Sequence, residues 1–254
     1  MNAKIQALKK IYVLILLNVT FAVPTLFATS YTVSTVGGYG PFQTGQGGEF
    51  TLKTSDDFLN DFVAGYANET KNQYGSTGNQ PNFQTFCVEG NEHIGANTAY
   101  EVVLNDHSVY SGNYLSKGAA YLYSQFAQGT LAGYDYGSGR LASADQLQRA
   151  VWALMGGQVG QSLSLSNPFQ ALTASVFGDL NAASDAAVPG DYGVYILNMW
   201  SYGHVGENAY KAQDQLIWSP KTPGRPNVPD GGTTAGLLGL GLAGIELIAR
   251  RIRR

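Results

Sequence analysis

The 254-residue sequence is poor in cysteine and in charge. Its one cysteine, Cys87, excludes an internal disulfide framework and any zinc site built from several cysteines. Charged residues make up 13% of the chain, against about 25% in typical globular proteins. The net charge of -3 at pH 7 gives no reason to expect a nucleic-acid partner. Wholesale disorder is also excluded, because 44% hydrophobic and 12% aromatic residues are enough to build a core.

The first 28 residues have the order of a secretory signal peptide. Lys4, Lys9 and Lys10 form a basic start, the apolar run 11–17 follows, and small residues come next. We predict cleavage after Ala28 and export through the Sec machinery. The alternative is a buried N-terminal helix, which the shortness of the apolar run disfavours.

The last 27 residues also consist of three parts. A turn-prone pentapeptide comes first: Val228, Pro229, Asp230, Gly231 and Gly232. The apolar segment 233–249 follows, and at about 1.5 Å per residue it is at the lower limit for a transmembrane helix. Four arginines close the chain: Arg250, Arg251, Arg253 and Arg254. The positive-inside rule places these arginines in the cytoplasm and the protein body outside the membrane.

This order of pentapeptide, apolar segment and arginine cluster resembles a PEP-CTERM-type sorting signal in its VPDGG/VPDSG variant. The resemblance covers residues 228–254 alone. It implies processing by an exosortase, a membrane protease or transpeptidase of Gram-negative bacteria with exopolysaccharide systems. The precursor is then held transiently in the inner membrane, and the tail is cut off near the pentapeptide. The processed protein is expected at the cell surface or outside the cell.

The charge of the body differs from that of the whole chain. The two terminal segments contain seven of the 15 basic residues but only two of the 18 acidic ones, so the body is near -8. This acidity opposes binding to nucleic acid or anionic lipid. Residues 219–227 contain three prolines and indicate a linker. Residues 29–218 are therefore predicted to form one domain.

The body is predicted to be α+β, a β-rich domain with a small helical subdomain. Period-2 and β-branched patterns predict strands at 31–36, 49–53, 83–88, 100–104, 192–199 and 215–218. Helices are predicted at 117–128, 143–155 and 169–180, and a loop at 37–48. In the helix 143–155, Ser143 and Gln146 have the spacing of a capping box.

Cys87 and one helical glutamine, Gln148, form the candidate site. Gln148 follows the core residue Leu147 and shares a stripe with Trp152, which places its amide at the edge of the buried face. A thiol held against an amide and shielded from water can displace ammonia and form an internal thioester. A lysine amine of another molecule can later attack this stored acyl group. The alternative is a buried, inert cysteine.

Two motifs carry a second resemblance. Phe-Cys-Val-Glu at 86–89 and Leu-Gln-Arg-Ala-Val-Trp at 147–152 are similar to the two motifs of thioester domains in bacterial surface adhesins. Those domains have a cysteine after an aromatic residue and a pattern close to Thr-Gln-x-Ala-Ile-Trp. The similarity covers roughly residues 83–155. It departs at position 147, where leucine replaces the usual threonine, and in the export route, since the best-known examples are on Gram-positive cells.

The resemblance to thioester domains implies roles for four residues. Cys87 and Gln148 are the crosslinked pair, and Ala150 and Trp152 support the helix. The implied partner is an amine-bearing surface protein or exopolysaccharide. The protein then binds or adheres without turnover, and we expect no catalytic residue, cofactor or metal.

Two other function classes stay open. One is a structural or carbohydrate-binding protein of the exopolysaccharide or biofilm matrix, with an inert cysteine. Its stacking surface would come from the tyrosines Tyr110, Tyr114, Tyr121, Tyr123, Tyr134 and Tyr136. The other is a hydrolase with Cys87 as nucleophile, which needs His93 or His107 as a base. The grouping of Glu89, Glu92 and His93 is a weak candidate for a metal site.

Overall fold

A computed structural model describes residues 29–220, apart from 45–46 and 76–79. The predicted signal peptide (1–28), the sorting segment (228–254) and all but the first two residues of the predicted linker lie outside the described residues. The predicted membrane segment 233–249 and the arginine cluster are among them. Within the described part of the chain, no helix is long and apolar enough to cross a membrane.

Strands and short helices follow one another along the described chain. The strands are β1 (Tyr31–Thr35), β2 (Gln43–Thr44), β3 (Gly47–Gly48), β4 (Phe50–Thr54), β5 (Asn82–Thr85), β6 (Ala99–Asn105), β7 (Val194–Ser201) and β8 (Lys211–Trp218). The α-helices are α1 (Asp57–Ala64), α2 (Lys117–Ala127), α3 (Arg140–Leu154), α4 (Pro168–Phe177) and α5 (Leu180–Ser184). Short 3-10 turns lie at Gln158–Gly160, Asp191–Gly193 and Asn208–Tyr210.

Six strands form an antiparallel sheet in the order β5-β4-β1-β6-β7-β8. This sheet, together with the helices, confirms the predicted α+β class. Strands β7 and β8 are buried at nearly every position. Burial on both faces explains why β8 shows no clear apolar and polar alternation.

The two outer strands of the sheet are joined at Cys87. Residues 86–88 follow β5 and run antiparallel to 214–216 of β8, with Cys87 opposite Gln215. One backbone hydrogen bond lies on each side of this bridge, at 3.0 and 3.1 Å. We call these two segments the seam. The sheet therefore curls until β5 and β8 meet, which pairs edge groups that would otherwise be open.

Helix α3 begins earlier than predicted, at Arg140, so the capping box of Ser143 and Gln146 is wrong. The Ser143 hydroxyl accepts the N–H of Asp135 (3.0 Å), and Gln146 is exposed. The Asp135 carboxylate in turn accepts the N–H of Gly139, the residue before the helix (2.9 Å). A side chain eight residues before Ser143 thus organises the helix start, where the sequence pattern indicated a local cap.

Two other expectations need correction. The predicted helix 169–180 ends at Phe177 and is followed by a separate helix, because Gly178 has φ +99°. A left-handed φ of this kind interrupts an α-helix and favours glycine. The predicted loop 37–48 contains a small hairpin, in which β2 pairs with β3 outside the main sheet. This hairpin packs on α3.

Arg140 attaches the hairpin to the start of α3. Its guanidinium forms a two-point ion pair with Glu49, which follows β3, with both N–O distances 2.7 Å. The guanidinium carbon also lies 3.8 Å from the ring centre of Phe42, just before β2. Both side chains of the ion pair are buried, and Tyr134 donates a further hydrogen bond to Glu49. One cation therefore holds both ends of the hairpin on the helix that carries Gln148.

We expect Arg140→Met to lower the free energy of unfolding by about 3–5 kcal/mol, because Glu49 is left buried without its cation. The double variant Arg140→Met/Glu49→Gln should recover most of the loss, since no lone charge stays buried. Urea titration measures both. Arg149→Met is the matched control, because its ion pair with Asp145 is exposed and should change stability by less than about 1 kcal/mol. Equal effects of Arg140→Met and Arg149→Met would contradict a structural role of the buried pair.

Candidate functional site

Cys87 and Gln148 are in direct contact. The amide oxygen Oε1 of Gln148 lies 3.3 Å from the Cys87 sulfur and 3.2 Å from the Cys87 backbone nitrogen. The amide nitrogen Nε2 donates to the Cys87 carbonyl at 2.7 Å. The structure thus brings together the two residues that the sequence singled out, with three contacts between them.

The seam explains why an amide is needed opposite Cys87. The hydrogen bonds that close the seam are made by Phe86 and Val88, so the N–H and C=O of Cys87 face away from β8. Both groups are buried, and buried backbone groups need partners. The Gln148 side chain supplies an acceptor and a donor with the spacing of a neighbouring peptide. It pairs with Cys87 as another strand would.

Water is excluded from this pair. Cys87 is 0% and Gln148 1% exposed. Strand β3 lies over the glutamine so closely that a Cβ on Gly47 would be 2.7 Å from Gln148 Cγ and 3.0 Å from Trp152 Cη2. Only glycine allows the backbone to approach to this distance. The hairpin and α3 therefore enclose the amide and the thiol in a dry site.

The arrangement has the parts needed for attack of sulfur on an amide. Sγ and the amide group are held in contact, which removes the entropic cost of bringing them together. The Cys87 N–H is directed at Oε1, where negative charge develops when sulfur attacks the amide carbon Cδ. A donor at that position stabilises the transition state, as in an oxyanion hole.

The sulfur itself is held as a neutral thiol. Burial raises the pKa of Cys87 well above its usual range, and the indole N–H of Trp152 opposes this rise. Among the described residues, Trp152 Nε1 has no conventional hydrogen-bond acceptor, so it can donate to a sulfur that gains charge. Trp152 thus lies beside the Cys87 sulfur as well as in the helix, whereas Ala150 is a buried core residue of α3.

Two buried carboxyl groups lie at the seam, and sequence reasoning missed the importance of both. Asp214, in the seam, receives three N–H donors at 2.8–2.9 Å, from Val109, Asn198 and Met199. Glu89 follows the seam and receives one donor, the N–H of Ser111. Burial and the charge of Glu89 raise the pKa of Asp214 to about 7. Asp214 directly precedes the predicted strand 215–218, so its position beside that strand was the available signal.

The histidines do not contact the thiol in the described part of the chain. His93 is exposed, and its carbonyl accepts a hydrogen bond from the Gln213 N–H. His107 pairs with Asp106 at 2.7 Å. Within residues 29–220, with the two gaps noted, no three His, Cys, Asp or Glu side chains converge on a possible metal position. The hydrolase hypothesis therefore lacks the cysteine–histidine contact it requires among the described residues.

The six tyrosines considered for sugar stacking do not share one surface. Tyr123 and Tyr134 belong to the core. Tyr121 and Tyr136 are partly buried and pack against it. Tyr110 and Tyr114 are exposed. The structure therefore does not assemble these six tyrosines into one stacking surface, because the aromatic rings of α2 and of the following loop pack inward.

Comparison with known protein families identifies the C-terminal segment. Residues 227–253 match the VPDSG-CTERM motif. The chain carries a PEP-CTERM-type sorting signal. This signal indicates an exported protein that is processed by an exosortase-type enzyme. No curated protein and no solved structure matches the chain, so the resemblance of residues 83–155 to thioester domains rests on the residues themselves.

The raised pKa of Asp214 predicts a pH dependence of stability. Because its folded-state pKa (about 7) lies above its usual value of 3.8, the folded protein holds this proton more tightly than the unfolded chain. Its contribution to stability is therefore greatest below about pH 4 and is lost as the pH rises to about 7. We expect Asp214→Asn to reduce the decline in unfolding free energy between pH 4.5 and 7.5. Parallel curves for variant and wild type in urea titrations would contradict this.

Proposed function

We propose that this exported protein attaches covalently to amine-bearing partners through an internal thioester between Cys87 and Gln148. The supporting observation is the contact of the Gln148 amide with the thiol and with both backbone polar groups of Cys87. The similarity of residues 86–89 and 147–152 to the motifs of adhesin thioester domains points to the same chemistry.

The chemistry has two steps. In the first, a bond forms between Cys87 Sγ and Gln148 Cδ, the bond from Cδ to Nε2 breaks, and the thiol proton leaves with the nitrogen as ammonia. In the second, a primary amine of the partner attacks Cδ, an amide bond forms, the bond from Cδ to Sγ breaks, and a proton from the amine returns to the sulfur as the Cys87 thiol. The protein is consumed as a one-time crosslinker and does not turn over.

The surroundings of the pair suit a stored electrophile. A dry site protects a thioester from hydrolysis until a partner arrives. The same burial means that a partner amine reaches Cδ only when the cover formed by β3 is displaced. The acidic body, near -8, attracts protonated amines such as lysine side chains or amino sugars. The sorting signal supports export of the protein, which contact with such partners requires.

A structural protein of the extracellular matrix is the second candidate. Gln148 satisfies the backbone groups of Cys87 completely, and this role by itself accounts for a buried glutamine at that position. In that case the cysteine is an inert core residue. The two candidates differ in whether Nε2 is present in the mature protein.

Intact mass of the processed protein, recovered from a host with an exosortase, separates these candidates. The thioester lowers the mass by about 17 Da, the mass of ammonia, relative to the sequence. We expect this loss in the wild type, its absence in Cys87→Ala, and an adduct at Gln148 after treatment with methylamine. An unshifted wild-type mass with a titratable thiol would refute the thioester and leave the matrix-protein alternative.

Processing should depend on the four terminal arginines, since basic residues hold the end of the chain in the cytoplasm while the signal is cut. With Arg250, Arg251, Arg253 and Arg254 replaced by glutamine, we expect an uncut precursor in the membrane fraction of the same host. The matched control replaces Lys221 and Arg225 in the linker and should be processed normally. Normal cleavage of the arginine variant would contradict this role.

A further inference from the structure

Glu89 is a buried carboxyl group two residues after Cys87. It is 1% exposed. Its carbonyl accepts a hydrogen bond from Gln213 Nε2 (2.8 Å), and its Oε1 accepts the N–H of Ser111 (2.8 Å). Among the described residues, its second oxygen, Oε2, is buried without any hydrogen-bond partner. A buried carboxylate oxygen left open in this way is costly and calls for an explanation.

The thioester-forming step needs a group of this kind. The thiol of Cys87 is neutral because burial raises its pKa, whereas the reactive form of cysteine is the thiolate. Amide nitrogen is also a poor leaving group until it gains a proton. A base that takes the thiol proton and returns it to nitrogen serves both needs in one step.

Other described acid–base groups near the seam are engaged elsewhere. Both oxygens of Asp214 are occupied by its three N–H donors. His93 is exposed, and His107 is paired with Asp106. Glu49 is held by Arg140 and Tyr134.

Glu89 differs from these groups. It lies two residues from Cys87 in the chain, its Oε2 is buried without a hydrogen-bond partner among the described residues, and its negative charge contributes to the raised pKa of the Cys87 thiol.

We propose that Glu89 is the proton acceptor and donor for thioester formation. Its carboxylate takes the proton from Cys87 Sγ as sulfur attacks Gln148 Cδ. It then gives that proton to Nε2 as the Cδ–Nε2 bond breaks, so ammonia leaves and the carboxylate is restored. This role rests on the proposed thioester and adds to it the residue that drives its formation.

Two variants distinguish a proton-transfer role from anchoring of the loop at Ser111. Glu89→Gln keeps an oxygen acceptor for the Ser111 N–H but cannot carry the proton. Glu89→Asp keeps the carboxyl chemistry but shortens the reach to Ser111. Glu92→Gln is the matched control, as the same substitution three residues along the chain. Each is made in the full-length chain, processed in the exosortase host, and analysed by intact mass at fixed times after synthesis.

We expect the fraction of molecules lacking ammonia to fall at least tenfold in Glu89→Gln, less in Glu89→Asp, and not at all in Glu92→Gln. The reverse ranking, with Asp worse than Gln, would assign Glu89 to anchoring and overturn the proposal. A wild-type level in Glu89→Gln would overturn it while leaving the thioester intact. No ammonia loss in the wild type would refute the thioester and this role together. If circular dichroism shows that Glu89→Gln does not fold, Glu89→Asp decides. We expect its fraction to lie clearly above the background of Gln148→Ala, which cannot lose ammonia at this site, and a fraction equal to that background would overturn the proposal.

Discussion

The pairing of the Gln148 amide with Cys87 is the contact on which the rest of the structure depends. Closing the sheet at the seam leaves the N–H and C=O of Cys87 pointing at α3 with no strand to receive them. Gln148 fills that position, which fixes where α3 lies along the seam. Arg140, two turns earlier on the same helix, then fixes the hairpin over the amide. The Gln148 side chain thus links the closure of the sheet, the placement of α3 and the packing of the hairpin over the site.

In the proposed function, the same geometry turns a structural contact into a chemical one. Pairing with the backbone aligns the amide so that its carbonyl faces a donor and the sulfur at once. Loss of ammonia removes the hydrogen bond from Nε2 to the Cys87 carbonyl but leaves the one from the Cys87 N–H. The product therefore lacks one of the two hydrogen bonds that position the amide, whereas the Cys87 N–H that stabilises the developing charge stays in place.

The fold class and the contact between Cys87 and Gln148 could be predicted from the sequence because their signals are local. The predicted helix at 117–128 differs from α2 by one residue, since its apolar period and its Ser116 cap are contiguous. Cys87 and Gln148 stood out as a lone thiol and a glutamine beside a core residue. The start of α3 was missed, because Asp135 organises it from the preceding loop and because Arg140 is held by Glu49, 91 residues away. The seam and the carboxyl groups beside it likewise depend on segments distant in the chain.

A crystal structure of the processed protein at high resolution tests the central claim most directly. The proposed function predicts continuous electron density from Cys87 Sγ to Gln148 Cδ, no atom at the Nε2 position, and Oε1 still within hydrogen-bond distance of the Cys87 N–H. Separate side chains, with Nε2 donating to the Cys87 carbonyl and Sγ in van der Waals contact with the amide, would contradict it.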